Sequence, residues 1–390
     1  MPTSTAVRVN RKAAQRLEDG HLWIFASDVL DRGAARAGDF VKVIDQKGKA
    51  LGTAHYSDSS QIVLRLLSRH VEPIDEEFIF KRCQAALRFR EKVVKNTDAY
   101  RLVHAEGDLL PGLIVDRYGD YLALQLLDQG MDGQTSDVVA ALTRLVAPRG
   151  IVARNDVAVR AKENLPLETK VLTGEIPSRT EIHMNGLRWT VDLLSGQKTG
   201  VFLDQRENYL AVVEYAGGRA LDCFTGTGGF AIHLAAHCSS VEAVDSSSGA
   251  LDIARENAAA NHRANIEFIE ANALQYLPSL VAAHRTFDLV VVDPPAFTKS
   301  RESLDQAARG YKEINLRALR LLNPGGILVS CSCSHHMSEA HLLEVVAQAA
   351  LDCGKTLRVL DKRTQARDHP ILLTVPETYY LKCIIFEAFR

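Results

Sequence analysis

No apolar run in this 390-residue chain approaches the ~18 residues that cross a bilayer. Met1 is not followed by the basic-then-apolar pattern of a secretory leader. A surplus of charge is missing too: 46 Lys and Arg stand against 48 Asp and Glu, a formal charge of -2. That excludes broad electrostatic coating of nucleic acid, which needs many clustered cations to release counterions. Cysteine builds no scaffold. The seven thiols (Cys83, Cys223, Cys238, Cys331, Cys333, Cys353, Cys383) are odd in number and scattered, with no C-x-x-C pair. They show no Cys/His spacing of the zinc type, so no metal is expected. A reducing cytoplasm is the expected compartment, with most thiols acting as small buried hydrophobes. There is no internal repeat and no low-complexity segment.

What is present is an ordinary globular composition, 46% hydrophobic and 24% charged. At ~150 residues per domain the length predicts two or three domains. The near-zero charge hides an asymmetry, because residues 1–70 hold 11 Lys and Arg against 7 Asp and Glu. Arg8, Arg11, Lys12 and Arg16 precede the first acid, Glu18. A surplus of this size is usually a solvated face and serves only as a pointer.

Residues 40–44, 50–54 and 61–67 read as short strands broken by turn signals, a β-rich module of barrel size. Residues 71–73 mark its end. A helix then runs from Asp75 and Glu76 to about residue 95, and strands at 113–116 and 121–126 flank Arg117-Tyr118-Gly119-Asp120 as a hairpin. A helix at 135–146 and a strand at 150–153 follow. From about residue 218 the period changes to regular strand–helix alternation, with strands at 220–223, 240–245, 266–269, 287–292, 327–330 and 379–386. The first helix of this series is expected to reach His237. Such alternation implies a doubly wound parallel sheet, with ligands at the carboxyl ends of its strands.

The first of these strands runs into Asp222-Cys223-Phe224-Thr225-Gly226-Thr227-Gly228-Gly229. Glycines let the backbone approach a ligand, and the following helix offers free N–H groups. Gly226, Gly228 and Ala231 satisfy G-x-G-x-x-A with Asp245 about 20 residues on, as in dinucleotide binders. Three strand ends point elsewhere. Asp222 suits a ligand amine, Asp245 the two hydroxyls of a ribose, and Asn272 an adenine edge. Together they describe a nucleoside with an amino-acid tail, S-adenosylmethionine. The bland alternative makes the glycines a plain tight turn and Asp245 a helix cap.

The fourth strand ends in Asp293-Pro294-Pro295, where two prolines stiffen the backbone beside the carboxylate. Such a turn followed by an aromatic typically holds a planar amine or base; here Ala296 intervenes before Phe297. The fifth ends in Ser330-Cys331-Ser332-Cys333-Ser334, and alternation places Cys331 and Cys333 on one side. A pyrimidine C5 is a poor nucleophile until a thiolate adds to C6. That chemistry requires a cysteine at the mouth of the site, and Cys333 is the best placed. Two buried structural cysteines are the rival reading.

On these residues the chain resembles the bacterial ribosomal RNA large-subunit methyltransferase I family over nearly its whole length. Gly20-His21-Leu22-Trp23-Ile24-Phe25 is similar to the opening of its PUA domain, and Asp116-Arg117-Tyr118-Gly119 to its central D-R-[YF]-G. The most specific block is Gly196-Gln197-Lys198-Thr199-Gly200-Val201-Phe202-Leu203-Asp204-Gln205-Arg206; Gly310-Tyr311-Lys312 and Ser332-Cys333-Ser334 complete the match. The resemblance implies an α/β enzyme of three parts. These are an N-terminal β-barrel PUA-like RNA-binding domain (1–72), a central α+β domain (73–185) and a doubly wound Rossmann-like class I methyltransferase domain (186–390).

It further implies 5-methylcytosine formation in 23S rRNA with S-adenosyl-L-methionine as cofactor. Lys198, Thr199, Phe202 and Gln205 would close over the methyl donor. Asp222, Phe224, Thr225, Gly226, Thr227, Gly228 and Gly229 would hold its methionine part, Asp245 its ribose and Asn272 its adenine. Asp293 would hold the base and Cys333 would be the nucleophile. Two departures matter: Asp222 stands where some relatives carry Asn, and Ala296 replaces the second cysteine of other RNA 5-methylcytosine enzymes. The C5 proton must then go to water, Asp293 or a hydroxyl. Trp23 and Phe25 are expected in the barrel core, leaving RNA to neighbouring Arg and Lys. The expected partner is 23S rRNA or a large-subunit assembly intermediate, with no membrane, and a homodimer is compatible. Rival readings are an exocyclic N-methyltransferase on an RNA purine, a non-catalytic RNA-binding assembly factor, and an NAD oxidoreductase that leaves the Asp204-Gln205-Arg206 block without a role.

Overall fold

The computed structural model describes residues 5–196, 201–297 and 304–389. The chain divides into two compact units. The first comprises residues 1–182, 192–200 and 367–378, the second 183–191, 201–366 and 379–390.

The first unit carries two sheets with separate apolar cores. In the six-stranded sheet, Trp23–Phe25 lies at one edge, followed by Ile62–Ser68, Ala50–Tyr56, Phe40–Ile44, Ala6–Val9 and Val29–Asp31. Val7, Val9, Ile24, Val41, Val43, Leu64 and Leu66 fill its core. Trp23 and Phe25, expected in the barrel core, are not its buried residues. Ile24 is fully buried, while Trp23 and Phe25 are half-buried, with Trp23 still packed against this core. A strand buries every second residue, and the aliphatic side chain takes the inward place. Trp23 instead donates from its indole N–H to Glu106 (2.8 Å), and the Arg16 guanidinium stacks over Phe25 (5.1 Å).

The five-stranded sheet joins Ala99–His104, Leu113–Tyr118, Tyr121–Leu126, Gly150–Arg154 and Thr169–Gly174 as sequential neighbours. Helices Glu76–Val93 and Thr135–Val146 complete this α+β layer. The first is capped by Asp75, whose side chain accepts from Phe78 N–H, with Glu76 and Glu77 in its first turn and Arg90 and Lys92 in its last. Those charges oppose the helix dipole at both ends. Asp116, Arg117 and Tyr118 close the strand Leu113–Tyr118, and the turn is Gly119-Asp120: Asp116 accepts from Arg101 Nε and Nη2 (2.8 and 2.9 Å), and Gly119 adopts φ 59°.

In the second unit, Asn185 and Gly186, both at positive φ (57° and 77°), turn the chain back along Leu187–Val191. Asn-Gly favours this tight turn because both residues tolerate the left-handed region. The alternation beyond it builds one sheet: β1 (Arg219–Cys223), α1 (Gly229–Leu234), β2 (Ser240–Asp245), α2 (Ser248–Ala260), β3 (Ile266–Glu270), α3 (Ala273–Ala282), β4 (Phe287–Val292), α4 (Leu304–Arg320), β5 (Leu322–Ser332), α5 (Glu339–Asp352), β6 (Thr356–Thr364) and β7 (Lys382–Phe389). The strand order is β3-β2-β1-β4-β5-β7-β6. The first five run parallel, and β7 inserts antiparallel between β5 and β6. Two expectations are corrected. α1 ends at Leu234 rather than His237, where the chain turns through a His237 N–H bond to Leu234. β6 went unread because its charged sequence TLRVLDKRT is largely solvent-facing at the sheet edge, as charges that protect an edge strand usually are.

One row crosses the sheet through Ile269, Val244, Cys223, Val292, Ser330 and Ile384. The residues just beyond this row, on β1 to β5, are those singled out from the sequence.

Candidate active site

The turn after β1 is built by backbone conformation. Phe224, Gly226 and Gly228 all have positive φ (65°, 55° and 93°). For Phe224 this is a strained state that surrounding structure must enforce. Its N–H and that of Thr225 both bond the Val244 carbonyl (2.9 and 3.0 Å). Asp222 ties the turn from beneath, accepting from Thr225 Oγ1 (2.6 Å) and Ala231 N–H (2.9 Å). Asp222 is fully buried, and its Oδ1 has no hydrogen-bond partner. Burial lifts its pKa to about 7, with Asp293 and Asp245 adding to the rise. A buried carboxylate short of one donor is suited to a ligand cation.

Asp245 accepts from Gly226 N–H and Ser247 N–H (both 2.9 Å), so it braces the glycine turn while Ser247 caps α2. Each carboxylate oxygen has two acceptor sites, which leaves capacity for a diol. Asn272 caps α3 through its side-chain oxygen, which accepts from Leu274 N–H (2.9 Å). The capping reading therefore holds for Asn272 but not for Asp245, since Ser247 is the cap of α2 and Asp245 braces the turn before it. The Thr227 carbonyl accepts from Asn257 (3.3 Å), and a Cβ on Gly229 would stand 2.5 Å from the Tyr209 ring.

The Asp204-Gln205-Arg206 block folds onto this end of the sheet. Gln205 donates to Asp293 Oδ2 (2.9 Å) and accepts from Asn208 (2.6 Å). Asp204 accepts from the Tyr380 hydroxyl (2.8 Å), and Arg206 is buried rather than solvated. A Cβ on Gly226 would meet the Phe202 ring at 3.4 Å, so the ring lies over the glycine turn. Lys198 and Thr199 fall outside the described residues.

Asp293 stands one residue past β4, and Cys333 one residue past β5. The strand ends at Ser332, so alternation does not govern Cys333. The two cysteines differ in setting: Cys331 is fully buried, and Cys333 is partly exposed. Burial, then Cys383, then Asp293 push the Cys331 thiol well above its ordinary value. Burial likewise raises Cys83 (to about 12), Cys223, Cys238 and Cys353. Tyr311 of α4 sits between the two strand ends. Its hydroxyl accepts from Ser332 (2.9 Å), its ring meets Phe297 edge-on at 4.8 Å, and burial raises its pKa with Cys333 and Asp293 adding. Phe297 thus packs on Tyr311.

This arrangement is a strand-end pocket rim with a glycine turn, a carboxylate past β2 and another past β4. The family model for S-adenosylmethionine-dependent methyltransferases matches residues 139–375, and one for PUA-like domains matches residues 7–69. The ribosomal RNA large subunit methyltransferase I of Tolumonas auensis is 40% identical over 99% of this chain and 100% of its own length. The chain belongs to that family. The enzyme of the same name from Yersinia pseudotuberculosis is also 40% identical, over 93% of this chain and 94% of its own. A solved structure described as a methyltransferase complexed with SAH shares the fold, with a TM-score of 0.86 at 22% identity, covering 98% of this chain and 99% of that one. The cofactor is S-adenosylmethionine.

Two further residues near these strand ends carry no role that the motifs specify: Tyr311 belongs to Gly310-Tyr311-Lys312, and Lys382 to no motif. A lysine between Leu381 and Cys383-Ile384-Ile385 was the available signal, since a charge inside an apolar strand has to be buried or edge-placed.

Proposed function

We propose that this protein is a cytoplasmic, S-adenosylmethionine-dependent methyltransferase of large-subunit ribosomal RNA that forms 5-methylcytosine through a covalent cysteine adduct. The observation that carries the reading is the position of Cys333, partly exposed past β5 and next to the strand that presents Asp293. Domains 1–72, 73–185 and 186–390 are the functional division that goes with it.

Bound S-adenosylmethionine supplies an electrophilic methyl group. Asp222, Phe224, Thr225, Gly226, Thr227, Gly228 and Gly229 hold its methionine portion, Asp245 its ribose and Asn272 its adenine. The unpartnered Asp222 oxygen fits an ammonium. Lys198, Thr199, Phe202 and Gln205 close that end from water. Cys333 attacks C6 of the cytosine, Asp293 bonds the base at N3 or its amine, and C5, made nucleophilic, takes the methyl group; loss of the C5 proton to water, Asp293 or a hydroxyl then expels the Cys333 sulfur from C6. Gln205 fixes the Asp293 carboxylate for this task. RNA contact falls to the basic face of residues 1–70. There Lys12, Gln15, Arg16, Asp19, His21 and Thr374 line a cleft of about 480 Å³.

Methyl transfer to 23S rRNA by the wild type and by Cys333→Ala, read by nucleoside mass spectrometry, tests this. The expected result is 5-methylcytosine from the wild type and none from the variant. A methylated exocyclic amine, or full activity in Cys333→Ala, removes the cytosine-C5 reading.

A further inference from the structure

β7 carries a lysine in a place where the fold offers no obvious reason for charge. Lys382 pairs with Ser332 across the β5–β7 ladder, the last rung before Cys333. Its side chain is 2% exposed. The ammonium donates to the Ser334 carbonyl (2.6 Å) and the Tyr380 carbonyl (2.8 Å), both on the side of that rung toward Cys333. Among the described residues no carboxylate pairs with it. A buried lysine without a counter-ion is costly, so its retention asks for a charge to neutralise.

We propose that Lys382 is a positioning residue for Cys333: its ammonium, anchored by two carbonyls at the end of β7, stabilises the Cys333 thiolate. The inference rests on the reading of Cys333 as nucleophile and supplies what that reading lacks, a reason for the sulfur to be ionised. A cation beside a thiol is the usual means of acidifying it. Tyr311, which interacts with both Cys333 and Asp293, and Asp293 itself cannot supply that cation. Tyr311 of α4 is a buried phenol held neutral, and Asp293 past β4 carries the wrong sign. The Tyr379 ring lies 5.9 Å from the Lys382 nitrogen, and His335 leans on Tyr380 at 5.5 Å. Burial draws the Lys382 pKa down to about 8, and the charge on Cys333 is the force that raises it. The thiol gives up its proton to solvent, the ammonium keeps its own, and no oxidant or reductant is involved.

Peptide-resolved mass spectrometry of iodoacetamide alkylation across pH 5–10, on the full-length protein, reads the acidity of Cys333 directly. The wild-type midpoint is expected at least one pH unit below the ordinary thiol value of about 8.5. Lys382→Met should move it up by a unit or more, slowing alkylation at pH 7 about tenfold, and Lys382→Arg should restore most of the shift. A wild-type midpoint at 8.5 or above overturns the proposal, and that result needs no variant to fold. Coincident wild-type and Lys382→Met profiles, with the variant folded by circular dichroism, overturn it equally. The underlying function fails separately: full methyl transfer by Cys333→Ala removes the nucleophile whatever the thiol's acidity.

Discussion

Buried charge is handled in opposite ways in the two units. In the first it is closed into pairs. Arg65 donates to Glu163 (2.7 Å) and lies 3.6 Å from Asp128, which in turn pairs with His55 at 3.1 Å. Arg90 bonds Asp108 at 2.7 Å and the Asp368 carbonyl at 2.8 Å. At the strand ends of the second unit, Asp222 keeps an unpartnered oxygen and Lys382 has no carboxylate among the described residues. The consequence shows in the acidities. Burial works against ionisation of Asp128, yet His55 and Arg65 outweigh it and bring its pKa down to about 2. In Asp222 burial prevails and the pKa rises to about 7. Closed networks hold a shape, whereas open ones keep interaction capacity for a ligand or a reacting sulfur.

The contrast breaks most visibly if the closed side proves dispensable. Arg65→Met leaves Glu163 a buried acid without its cation and Asp128 with His55 alone, and should cost about 3–5 kcal/mol of stability, measured by urea denaturation. A loss under 1 kcal/mol would show that these ion pairs are not what holds the first unit. On the open side, Asp293→Asn should slow methyl transfer about 10²–10⁴-fold while leaving the denaturation midpoint nearly unmoved. Equal losses of activity and stability would make Asp293 a structural residue.

The pH dependences should differ in sign. Asp128, with its folded pKa below the ordinary carboxylate value of 3.8, contributes stability that is present above pH 4 and lost as pH falls toward 2. Asp222, raised above that value, contributes stability that is present below pH 4 and lost as pH rises through about 7. Scanning calorimetry without cofactor should therefore show Asp222→Asn flattening the pH dependence of the melting temperature between pH 5 and 8, while Asp128→Asn lowers the melting temperature evenly across that range. The smallest effect belongs to neither class. Arg255 and Asp252 pair at 2.9 Å with both side chains well exposed, so Arg255→Ala should change stability by less than about 0.5 kcal/mol.

Strand–helix alternation from β1 to α5 was legible because hydrophobic period is a local property, set within about ten residues. The glycine turn and Asp293-Pro294-Pro295 were legible for the same reason: Gly and Pro restrict their own backbone. Trp23, Ile24 and Phe25 show where that ends, since the pattern fixes alternation but only packing chooses its phase. Charged β6 gave no apolar signal because an edge strand needs none.

What the chain alone determined is a parallel α/β sheet whose functional groups gather at one end, together with the family likeness carried by its motifs. Tertiary structure decided which of those groups meet. Gln205 reaches Asp293 across 88 positions, and Lys382 reaches the Ser334 carbonyl across 48. Neither pair shares a helix face or a hairpin. The Lys382 contact follows from β7 entering antiparallel beside β5, and the Gln205 contact from a helical turn outside the sheet packing onto the end of β4; neither long-range contact leaves a trace in sequence spacing.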